Sequence, residues 1–100
     1  MTTKQRLEQA RALIASPEAW CRGFWARDER GEAVAVRGES ACSFCAEGAT
    51  VRVGDRGECR RLLDRAARKL GCKDIVSLND TRTHAEVLAA FDLAAELADE

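Results

Sequence analysis

The chain has 100 residues, 46% of them hydrophobic and 33% charged, with a formal net charge of −1 at pH 7. That length supports one core and one domain, residues 1–100, and the near-neutral balance excludes attraction to nucleic acid or anionic membrane by bulk charge alone. No apolar run approaches the length of a membrane span, and Met1-Thr2-Thr3-Lys4 turns polar at once, so no export signal is read and a cytoplasmic address is expected.

In chain order, Thr2 with Gln5 fits a capping box, in which hydroxyl and amide satisfy each other's orphan N–H groups. Leu7, Ala10, Leu13 and Ile14 follow at helical spacing. Ser16-Pro17 stops the run, because proline disfavours helical geometry in the residue before it. A helix is predicted over residues 3–15, and Pro17 at a first helical position predicts one further turn leading into Trp20.

The stretch 20–49 holds both tryptophans, Phe24, Phe44, Cys21, Cys42 and Cys45. Asp28-Glu29-Arg30-Gly31 reads as a turn. Val34 and Val36 alternate with small residues, and together these features predict a β-hairpin pairing residues 24–26 with 33–37. Such a hairpin must lie on helices to persist. Ser40 reads as an N-cap. The helix after it is expected to end near Val51 to Val53, with Ala41, Phe44, Cys45 and Gly48 on one face. Gly48 costs about 1 kcal/mol against alanine in a helix interior. Close packing against another backbone explains such a glycine.

Asp55 with Glu58 signals another helix start, and Cys59, Leu62, Leu63, Ala66 and Leu70 form its apolar stripe. Gly71 ends it. Residues 75–78 are too short to assign and are expected to drop apolar side chains into the core before a turn at Asn79-Asp80. Thr83 with Glu86 caps the last helix, whose buried stripe is Val87, Leu88, Phe91, Ala94, Ala95 and Ala98. Asp92, Glu96, Asp99 and Glu100 place acid toward its C-terminus, the unfavourable sign for the helix dipole. A basic surface, within the molecule or on a partner, would compensate. The fold class is therefore α+β, mainly helical: about four helices packed around one small β-hairpin.

Five cysteines allow no complete pairing, and without an export signal they read as reduced thiols. Cys42-x-x-Cys45 has zinc-ligand spacing, but a structural site needs four ligands. Cys21, Cys59, Cys72 and His84 would have to converge to supply them, so packing is the favoured reading, with no metal and no cofactor. A thiol-dependent hydrolase or transferase would use Cys45 as nucleophile, its pKa depressed near a helix start, with His84 as base and Asp80 as orienter. Against it, a histidine in a capped first turn is more often solvated, and Asn79 and Asp80 more often bond their own backbone. Trp20 and Trp25 read first as core and second, Trp25 above all, as an interface anchor. Basic residues crowd from Arg52 to Lys73, whereas none follows Arg82. Arg60, Arg61, Arg65 and Arg68 could meet a phosphate backbone, a protein, or the acidic last helix.

The pattern Trp20-x-x-Gly23-x-x-Ala26-Arg27-Asp28, then Phe44-Cys45-Ala46-x-Gly48-Ala49, then Asn79-Asp80, resembles a family of small uncharacterised bacterial and phage-encoded proteins. The resemblance implies that Trp20, Gly23, Asp28, Cys45, Gly48, Asn79 and Asp80 hold a common architecture or a common site. It implies no fixed cysteine at positions 21, 42, 59 and 72, which counts against a shared zinc site. The expected function is a small non-enzymatic interaction protein that binds another macromolecule, a protein first and nucleic acid second. A phage or mobile-element inhibitor of a host defence complex is the sharper form. The thiol enzyme through Cys45, and nucleic-acid binding through the basic helix 56–73, are the alternatives.

Overall fold

A computed structural model describes residues 1–99; Glu100, counted above among the acidic residues of the last helix, lies outside the described residues. Helix α1 spans Thr3–Leu13, with the expected Thr2/Gln5 capping box, and a 3-10 turn covers Pro17–Ala19. Strands β1 (Ala26–Arg27) and β2 (Ser43–Phe44) form a two-stranded antiparallel sheet, followed by α2 (Ala46–Arg52), α3 (Glu58–Lys69), α4 (Ile75–Thr81) and α5 (His84–Ala98). The class is as read, mainly helical with one small sheet, but the α-helices among the described residues number five rather than about four.

The additional helix is α4. Asp74 caps it by accepting from the Ser77 N–H at 2.8 Å, and the Asp64 carboxylate accepts from the Ile75 N–H at 3.0 Å. Two side chains thus satisfy N–H groups that a seven-residue segment cannot satisfy alone. Asn79 and Asp80 therefore lie within a helix, not in a turn. Ile75 and Leu78 do enter the core.

The hairpin is corrected as well. Residue 33 meets Arg27 in a single antiparallel bridge, and the Val34 N–H donates to the Ala26 carbonyl at 3.1 Å. The strand that pairs with β1 is β2, in the register Ala26 to Phe44 and Arg27 to Ser43. Phe44, Ser43 and Ala26 are all buried, so this pairing closes over the core, whereas in 33–37 only Val34 and Val36 are partly buried against it and the other residues are exposed. Ser40 caps nothing here, and Phe44 is in a strand rather than on a helix. Cys45 is the N-cap of α2, its sulfur accepting from the Gly48 N–H at 3.2 Å.

The core joins Leu7, Ala10 and Ile14 of α1, Leu63, Ala66 and Ala67 of α3, and Val87, Ala90, Phe91 and Ala94 of α5. Leu62 is only partly buried, and Leu70 is exposed beyond the end of α3. The acidic face of α5 meets α1, not the basic helix: Lys4 pairs with Asp99 at 2.7 Å and Arg11 with Asp92 at 2.8 Å. Such half-exposed pairs contribute little each, but they give the misplaced acid of α5 an intramolecular partner. No helix among the described residues is long and apolar enough to cross a membrane.

Gly48 is where α2 presses on the backbone of residue 25. A Cβ there would collide with the Trp25 carbonyl and lie 2.8 Å from the Trp25 Cα. On propensity alone Gly48→Ala would stabilise α2 by about 1 kcal/mol. The collision reverses the sign: we expect Gly48→Ala to destabilise the protein by about 3 kcal/mol or more, read from urea unfolding midpoints.

Candidate functional site

The residues singled out by the sequence pattern converge on Asn79. This side chain is 2% exposed. Its Oδ1 accepts from the Trp20 indole N–H at 2.7 Å and from the Ala46 N–H at 2.9 Å. Its Nδ2 donates to the Cys21 carbonyl and to Asp80 Oδ1, both at 3.1 Å. An Asn amide has two acceptor and two donor positions, and all four are used.

The placement has a specific topology. Trp20 and Phe44 form a parallel bridge, and the Cys21 N–H donates to the Phe44 carbonyl at 3.0 Å. In an uninterrupted parallel ladder the next bond would run from the Ala46 N–H to the Cys21 carbonyl. The Asn79 amide stands between those two groups and bonds each. It substitutes for one peptide of the ladder, and it ties α4 to the start of α2 and to the 20–23 segment. Asp80 continues the tie, accepting from the Gly23 N–H at 3.2 Å.

The 20–31 segment is braced by two arginines. Arg22 stacks over Trp20 at 4.9 Å and donates to the carbonyls of Asn79 and Arg82. Arg27 stacks over Phe24 at 4.6 Å and donates to the carbonyls of Gly31 at 2.7 Å and Arg22 at 2.8 Å. Asp28 closes the turn by accepting from the N–H groups of Arg30 and Glu32. These roles account for Trp20, Gly23, Asp28, Asn79 and Asp80 as one architectural unit.

The brace leaves a concave surface on its outer side. A cavity of about 130 Å³ is lined by Phe24, Trp25, Val76, Cys45, Asn79 and Asp80, with Gly23 and Glu47 completing it. Phe24 is 50%, Trp25 48% and Val76 37% exposed. Trp25, favoured as core by sequence, stands at the surface with its indole N–H donating to Glu47. The second oxygen of Glu47 pairs with Arg60.

The thiol constellation is only partly assembled. Cys45 and Asp80 line the same cavity, but His84 does not. His84 is half-buried rather than solvated, its Nε2 lies 2.6 Å from the Ile14 carbonyl, and its ring sits 5.4 Å from that of Trp20. Burial, reinforced by the nearby Cys21 and Asp80, pushes the Cys45 thiol up to about 11. This is opposite to the depression expected near a helix start, because Cys45 is the buried cap itself. Cys42, its partner in the Cys-x-x-Cys spacing, is exposed on the opposite side of the buried β2 segment in sequence, and no three metal-ligating side chains cluster among the described residues.

Of the basic candidates, Arg60 is consumed by Glu47 and by Asp64 at 3.2 Å. Arg61, Arg65 and Arg68 are exposed on the outer stripe of α3 and form no ion pair among the described residues. Arg61 and Arg65 border a shallow cleft with Leu62, Leu97 and Ala98. Sequence reasoning missed Phe24, Val76 and Glu47. The signal for Val76 was present in hindsight of the helix: in Ile75–Thr81 it lies opposite the buried faces of Ile75 and Leu78.

The chain belongs to a family of unknown function, DUF6197, whose family model matches residues 1–97. No curated protein and no solved structure matches it.

Two outcomes follow. Asn79→Ala leaves the Ala46 N–H, the Cys21 carbonyl and the Trp20 indole without their partner, and we expect a loss of about 3–5 kcal/mol in denaturant titration. At pH 7 iodoacetamide should modify exposed Cys42 readily and Cys45 only on unfolding, as read by peptide mass spectrometry.

Proposed function

We propose that the protein is a non-enzymatic interaction module that binds another protein through the Phe24–Trp25–Val76 face. One observation carries this reading: three of the exposed large apolar side chains come from two separate segments and line one concave site. Exposed apolar groups scattered singly need no explanation, whereas a clustered set beside a concavity marks a contact surface. Tryptophan is among the residues that most often anchor such contacts. The buried Asn79 network holds both segments rigid, so little ordering entropy would be lost on binding.

The thiol-enzyme reading has less support. Its nucleophile is a protonated, buried cap at neutral pH, and its base is engaged elsewhere. The nucleic-acid reading rests on Arg61, Arg65 and Arg68, which form no ion pair among the described residues, and the cleft bordered by Arg61 and Arg65 has no aromatic lining residue on which a single strand could stack. An inhibitor of a host complex is one form that a protein-binding module takes, and identifying the partner would decide it.

The test is capture of a partner on tagged protein, followed by reconstitution from purified components. Trp25→Ala should weaken the reconstituted one-to-one complex about a hundredfold, as expected for an anchor residue, while Arg61→Glu/Arg65→Glu leaves it intact. The proposal is overturned by a complex lost with the arginine variant and kept by Trp25→Ala. It is equally overturned by a concentration-dependent homodimer that Trp25→Ala dissociates, which would make a second copy of the chain the occupant.

A further inference from the structure

The cavity beside Trp25 combines an aromatic wall with one uncommitted carboxylate oxygen. Asp80 is exposed, and its Oδ1 accepts from the Gly23 N–H at 3.2 Å and from Asn79 Nδ2 at 3.1 Å. Its Oδ2 makes no hydrogen bond or ion pair among the described residues. The other carboxylate at the site, Glu47, is fully employed by the Trp25 indole and Arg60.

The nearby cations do not meet Asp80. Arg22 spends its guanidinium on the Asn79 and Arg82 carbonyls and the face of Trp20. Arg27 spends its own on the Gly31 and Arg22 carbonyls and the face of Phe24. The cavity lining itself contains no basic residue. Asp80 therefore projects negative charge into a partly enclosed, apolar-walled space, and its field is felt by both buried thiols beside it.

An aromatic face attracts a cation through its quadrupole, and a carboxylate adds a directed charge-assisted bond. Resting on the reading of this face as a protein-docking surface, we propose that it recognises a lysine or arginine side chain of the partner, flanked by an apolar residue. The cationic head reaches Asp80 Oδ2 and its stem lies along Trp25. The flanking apolar residue covers Phe24 and Val76. The aliphatic stem suits the apolar wall, since long basic side chains bury their methylenes and keep only the head polar.

The same geometry explains why Asp80 is held so firmly. Two hydrogen bonds hold Oδ1 of this exposed, cavity-lining side chain and leave Oδ2 without a partner among the described residues, so an acceptor is available before a partner arrives. Asp80→Asn is the informative change, because an amide oxygen can keep both Oδ1 contacts while the charge is lost.

The experiment is selection of a displayed dodecapeptide library on the wild-type 100-residue chain and on the Asp80→Asn and Trp25→Ala variants. Each variant is first checked for a wild-type circular-dichroism spectrum and a cooperative melt. Wild type should enrich peptides with Lys or Arg next to an apolar residue. A synthetic version of the leading peptide should bind Asp80→Asn about tenfold more weakly and lose affinity with added salt. Enrichment of purely apolar peptides that need Trp25 but not Asp80 overturns the cationic specificity and leaves the docking face standing. Peptides that bind Trp25→Ala and Asp80→Asn as well as wild type overturn both.

Discussion

The structure depends on one buried amide. The Asn79 side chain takes the place of a backbone peptide between Cys21 and Ala46, and every polar atom it carries is bonded. A two-residue sheet and a single parallel bridge have too few ladder bonds to fix a loop of this length by themselves. Asn79 supplies the missing bonds from a helix that is itself packed on the core through Ile75 and Leu78. Buried polar networks are costly when incomplete and specifying when complete. This one is complete.

From that constraint the outer face follows. With residues 20–23 tied to α4 and the backbone of residue 25 pressed onto Gly48, the 24–25 dipeptide has Ala26 turned inward and its own side chains turned outward. Leaving a tryptophan half-exposed forgoes on the order of 2 kcal/mol of burial. The glutamate that holds the Trp25 indole is held in turn by Arg60 of α3, so the exposed ring is oriented from a second helix as well. The product is an outward-facing aromatic surface anchored through its backbone, with arginines stacked on Trp20 and Phe24.

Much of the helical frame was legible in sequence because its signals are local. Both capping boxes, the Ser16-Pro17 stop and the apolar stripes of α1, α3 and α5 depend on residues within four positions of each other. Gly48 was legible as a close approach, though not what it approached. The Asp28 turn was also local. What escaped was non-local. Helix α4 is capped by Asp74 and supported by Asp64 of a different helix, so its seven residues carried too little signal alone. The β2 segment pairs with β1, burying Phe44, and the Val34/Val36 alternation in the intervening stretch hid that choice behind a nearer hairpin. The environment of Cys45 inverted for the same reason: being the cap and being buried are facts about β2 and α4, not about the Cys-x-x-Cys spacing.

The most direct measurement of the central claim is amide hydrogen exchange by nuclear magnetic resonance on the native protein. The Ala46 backbone N–H, the Trp20 indole N–H and the Asn79 side-chain protons should be protected together, opening only with the most stable core amides of α3 and α5. If instead the Ala46 and Trp20 protons exchange at the rates of surface loops while the core stays protected, Asn79 does not hold the 20–46 junction, and the proposed docking face loses its foundation.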